Sequence, residues 1–108
     1  MALEITAAGD AKLVISGTAT ELASIYSRIN FSFQGDGSHC YGKMSFYGAK
    51  AQYESNANQL LVIDSLDSGY SFAIDTATEE QSLETGHEKM KENLEAQGYT
   101  VAIVDLSS

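Results

Sequence analysis

An α+β fold is predicted, with a largely antiparallel sheet and two helices packed on one of its faces, in the order β-β-α-β-β-β-β-α-β. Three features point to it. Strand-like alternation of apolar and polar residues dominates the chain, two stretches change to helical spacing, and strands follow one another in runs instead of alternating singly with helices. Residues 1–108 read as a single domain, because no linker-like composition divides them.

The elements follow in order. Leu3 and Ile5 alternate with Glu4 and Thr6. A turn at Ala7-Ala8-Gly9-Asp10 leads to Lys12–Ser16, so the opening reads as a hairpin. Thr18 with Glu21 three residues on has the form of a capping box, in which each side chain satisfies a free N–H at a helix start. Leu22, Ile25, Tyr26 and Ile29 then recur at helical spacing, and Asn30 can stop the helix. Phe31–Phe33 and Cys40–Tyr47 flank Asp36-Gly37, a hairpin signal. The continuous apolar run Leu60–Ile63 suits a strand covered on both faces, and Gly48–Asn58 reads as a short strand or a loop. Tyr70, Phe72 and Ile74 alternate. The second helix is expected to open at Thr76 and place Leu83, His87, Met90 and Leu94 on one face, with Gly98 as its stop. Gly86 inside it costs about 1 kcal/mol relative to alanine, which calls for a packing reason or a kink. Tyr99–Leu106 forms the last strand. The two helices would bury Leu22, Ile25, Tyr26, Ile29, Leu83, Met90 and Leu94.

Composition narrows the function classes. Hydrophobic residues make up 44% and charged residues 19% of the 108, the proportions of a chain that folds. Fifteen acids against six bases give a net charge of −9, which argues against direct nucleic-acid binding. The lone Cys40 cannot form an intramolecular disulfide and fits a reducing compartment. No apolar run approaches the roughly 18 residues needed to cross a bilayer, and the early Glu4 is unlike a secretory signal, so no membrane partner and a cytoplasmic location are expected.

Catalytic and metal chemistry find little support. His39 and Cys40 are adjacent on a strand, so they point to opposite faces, and no C-x-x-C or H-x-x-x-H spacing occurs. His87 lies on an apolar stripe, where a hydrogen-bonded core histidine is the commoner reading. No G-x-S-x-G elbow or phosphate loop is present. The expectation is a non-enzyme with no catalytic residues, no metal and no cofactor.

Two surfaces stand out as binding candidates. Glu80, Glu84, Glu88 and Glu92 repeat every four residues, with Glu95 in the same arc. Successive carboxylates are about 6 Å apart along a helix, and like charges at that spacing cost a few tenths of a kcal/mol per pair. Such a row suits docking on a basic protein, although its charge density is about half that of a DNA strand. The other surface is the parity of Cys40–Tyr47 that carries Tyr41, Lys43 and Tyr47, which would lie on the uncovered sheet face with Val14, Ala102 and Val104. The leading functional expectation is an acidic protein-binding module of the immunity or anti-defence inhibitor type, acting on a basic nucleic-acid-processing protein. The alternatives are a small-ligand-binding protein or minor enzyme using the tyrosine face near His39, and a homo-oligomeric structural protein in which that face makes a homodimer.

Overall fold

The computed structural model describes residues 1–34, 38–56, 60–64, 66–75 and 82–106. The fold is α+β, a five-stranded antiparallel sheet with two helices. In chain order the elements are β1 (Ala2–Thr6), β2 (Leu13–Val14), β3 (Glu21–Leu22), β4 (Ser24–Phe33), β5 (His39–Tyr47), α1 (Lys50–Ser55), β6 (Gly69–Ala73), α2 (Leu83–Ala96) and β7 (Thr100–Val104). The main sheet runs β6-β5-β4-β1-β7, and β2 and β3 form a separate ribbon.

The first predicted helix is a strand. β4 is the central strand of the sheet, with Ser27 opposite Leu3 on one side and Phe46 on the other. Its sequence is apolar on both faces at its start, and Ile25, Tyr26 and Ser27 are all buried. That burial hides the period of two, while the spacing of Ile25 and Ile29 fits a strand as well as a helix. Pairing along both edges of β4 then outweighs a short helix, whose nucleation is costly. Thr18 acts locally instead. Its hydroxyl donates to the Ile15 carbonyl at 2.8 Å and accepts from the Thr20 N–H at 3.1 Å, closing the turn between β2 and β3.

Other expectations shift less. β1 pairs with β4 and β7 and not with the segment after its turn, where Ala8 and Ala11 exchange hydrogen bonds. The stretch 60–63 makes only isolated bridges, Phe46 to Leu61 and Ile15 to Ile63, so Leu60 and Val62 are exposed instead of covered. Thr76, where the second helix was expected to open, lies outside the described residues. α2 is capped by Ser82, whose Oγ accepts from the Thr85 N–H at 3.1 Å. It ends at Ala96, and Gly98 just beyond the C-cap Gln97 adopts φ +105°, a conformation that glycine takes without strain.

The helices do not share a face. α2 covers the face that carries Leu3, Ile5, Ile25, Met44, Phe46 and Val101, burying Met90 and Leu94 among them. α1 lies at one end of the opposite face, where Tyr53 packs with Ala2, Tyr26, Tyr47 and Val104. Leu83, placed on the buried stripe by its spacing, is exposed at the first turn of α2.

Gly86 has a packing reason. Phe31 stands opposite Gly42 in the β4–β5 ladder, and α2 crosses above it at Gly86. A Cβ at Gly42 would come within 2.8 Å of the Phe31 ring and 2.9 Å of the Met90 methyl. A Cβ at Gly86 would meet the same ring at 2.8 Å. The absence of two methyl groups makes room for one phenyl ring between sheet and helix.

Candidate interaction surfaces

α2 holds its acidic residues away from the sheet. Glu84, Glu88, Glu92 and Glu95 are exposed, whereas Gly86, His87, Met90 and Leu94 are buried. At about 100° per residue the four carboxylates fall within an arc of about 80°. Glu84 sits in the first turn, where the helix dipole favours an acid. Lys91 bonds both oxygens of Glu95 at 3.1 Å, neutralising that end of the row. Glu84, Glu88 and Glu92 make no ion pair among the described residues. Glu80 lies outside the described residues.

The tyrosine face divides in two. Tyr41 and Lys43 are exposed on the face opposite α2, and the Tyr41 ring lies across Gly69 of β6, where a Cβ would collide with it. Tyr47 is 3% exposed and packs edge-on against Tyr53 at 5.1 Å, so α1 takes it out of any open surface. Sequence parity places Tyr47 correctly, but the covering helix gave no recognised signal. Val14 belongs to the β2–β3 ribbon and not to this face. Ala102 is exposed there, and Val104 packs against the tyrosine cluster. His39 is exposed beside Ser38, with 2.9 Å between Nδ1 and Oγ.

A polar junction that sequence reading missed anchors α1. Asp105 accepts from the Tyr26 hydroxyl at 2.7 Å and from Lys50 at 2.6 Å. The Lys50 ammonium, and then the Tyr26 hydroxyl, hold the Asp105 carboxyl below its usual range. Burial, reinforced by Asp105, pushes the Tyr26 phenol up. Asp105 itself has φ +53°, a left-handed conformation that aspartate tolerates better than most residues. Nearby, the Arg28 guanidinium lies 5.0 Å from the centre of the Tyr53 ring, a cation–π contact. A cavity of about 170 Å³ opens beside this junction, lined by Glu4, Tyr26, Lys50 and Asp105 among others. These residues come from four parts of the chain, and no spacing rule links them.

The two histidines and the cysteine stay apart in role. Cys40 is buried, which pushes its thiol up and away from thiolate reactivity. His87 is buried, bonded through Nδ1 to the Leu83 carbonyl at 2.7 Å, and set edge-on to Phe31 at 5.1 Å. Burial is the main cause that holds its pKa below the usual value. Among the described residues no group of three or more His, Cys, Asp or Glu side chains is placed to hold a metal ion. No described helix is long and apolar enough to cross a membrane. Compared with protein-family models, curated proteins and solved structures, the chain matches none of them.

Proposed function

We propose that this protein is a binding module that docks on a basic protein through the outer ridge of α2, as a small inhibitor of a nucleic-acid-processing protein would. The observation that supports this reading is the row Glu84, Glu88 and Glu92, exposed along one side of a helix whose opposite side is fixed in the core. A rigid helix presents its charges without a large ordering cost, which favours rapid capture of an oppositely charged partner. The net charge of −9 adds a long-range field of the same sign. Only part of the predicted row belongs in the proposal. Glu95 is engaged by Lys91, so we assign it a smaller share than Glu84, Glu88 and Glu92, which make no ion pair among the described residues.

The test is to replace Glu84, Glu88 and Glu92 by lysine together and compare capture of partners with that of the unchanged protein. The proposal expects the fold to persist, because all three side chains are exposed, and the captured basic protein to be lost. Equal capture by the triple variant would remove α2 from the interface.

A further inference from the structure

The β5–β6 ladder stops at Lys43 opposite Gly69, and beyond it the facing chain leaves the sheet. Met44 N–H still donates to the Ser68 carbonyl at 2.6 Å, and Leu61 N–H donates to the Phe46 carbonyl at 2.8 Å. Between those two bonds β5 advances from Met44 only to Phe46, while the facing chain runs from Leu61 to Ser68. A recess of about 370 Å³ lies in this region, lined by Phe46, Leu61, Ile63 and Leu66, with Leu60 and Val62 also in its lining. Leu60 is 54% and Val62 67% exposed, so the lining is apolar on its exposed side as well as within.

Lys43, on the face of β5 opposite Met44 and Phe46, also lines the recess. Of the chain's cations, Lys50 is held by Asp105, Lys91 by Glu95, and Arg28 lies over Tyr53, while Lys12 and Lys89 have contacts of their own. Lys43 alone has no hydrogen bond or ion pair among the described residues. In a strongly acidic protein, an unengaged ammonium beside an apolar recess supplies the charge complement for one anionic group. Asp67, also in the lining, makes no ion pair with Lys43 and disfavours a second negative charge. The volume lies within the range of small-molecule sites.

We propose that this recess binds a small amphipathic monoanion, with its apolar body against Phe46, Leu61 and Leu66 and its carboxylate or sulfonate at Lys43. The probe is 1-anilinonaphthalene-8-sulfonate, followed by fluorescence, with decanoate as the competitor. Saturable binding that decanoate displaces is expected. Lys43→Glu is expected to weaken it about tenfold, because an attraction is exchanged for a repulsion. Val62→Glu, on the exposed side of the lining, is expected to weaken it as well. Leu83→Glu, an equally exposed apolar site on α2, is expected to leave it unchanged. Circular dichroism of each variant verifies that the fold is retained. Absence of probe binding, failure of decanoate to compete, affinity of Lys43→Glu within about twofold of the unchanged protein, or an equal loss in Leu83→Glu would each overturn the proposal.

Discussion

Replacing Gly86 by alanine sets two opposed effects against each other at one site. In an open helix interior the substitution stabilises by about 1 kcal/mol, because glycine has the larger conformational entropy to lose. Here the new methyl would lie 2.8 Å from Phe31 Cε1 and 2.9 Å from Cδ1 and Cζ, closer than atoms in a packed interior tolerate. Retreat of the half-buried ring is opposed on two sides, by the close approach of Gly42 and by His87 at its edge. Overpacking of this kind costs about 1–3 kcal/mol. Taking about 2 for the collision and subtracting the helix gain leaves a net loss of about 1 kcal/mol. With a urea m-value of about 1 kcal/mol/M, the unfolding midpoint falls by about 1 M. The same substitution made on a Phe31→Leu background should reverse sign and stabilise by up to about 1 kcal/mol, giving a coupling near 2 kcal/mol. Urea titrations of the four proteins by circular dichroism measure this directly. A Gly86→Ala variant more stable than its parent while Phe31 is present would refute the packing argument.

Three further predictions test other parts of the structure. His87 has a folded pKa below its ordinary 6.5, so protons favour the unfolded chain; stability is full above about pH 6.5 and declines as pH falls toward the folded value. Urea midpoints between pH 7.5 and 5 should show that decline in the unchanged protein and not in His87→Leu. Asp105→Asn keeps a side chain that tolerates positive φ but loses the charge facing Lys50, so amide exchange in residues 50–55 should accelerate while that of α2 does not. An equal change in both helices would mean that Asp105 supports the whole fold and not the α1 junction. Thr18→Ala removes two turn hydrogen bonds worth about 1 kcal/mol each at most, and the helical circular dichroism signal should stay the same. A loss of helical signal would restore the capping-box reading.

The fold class was legible because most strands bury one face and alternate accordingly. Glu4 between Leu3 and Ile5, and Ser71 between Tyr70 and Phe72, carry the period openly. β4 defeated the same test because Tyr26 is covered by Tyr53 from a helix that the sequence did not announce, so its polar face became apolar where it mattered. The six-residue α1 has no buried residue and no side-chain cap, which leaves no periodic or capping signal to find. The α2 stripe was clear at His87, Met90 and Leu94, and the outward position of Glu84, Glu88 and Glu92 follows from it directly. The Lys50–Asp105–Tyr26 junction and the recess between β5 and Leu61, Ile63 and Leu66 depend on contacts between distant segments. Local spacing carries no trace of either.

The most direct test of the proposed function is salt-resolved capture from a nuclease-treated lysate with the protein and its Glu84, Glu88, Glu92→Lys variant in parallel. The account predicts a basic nucleic-acid-processing protein that the unchanged chain retains at low salt, releases at high salt, and that the variant does not retain, since exposed charge contacts are screened. A partner held equally by both proteins, or held by the unchanged chain through the high-salt wash, would contradict it.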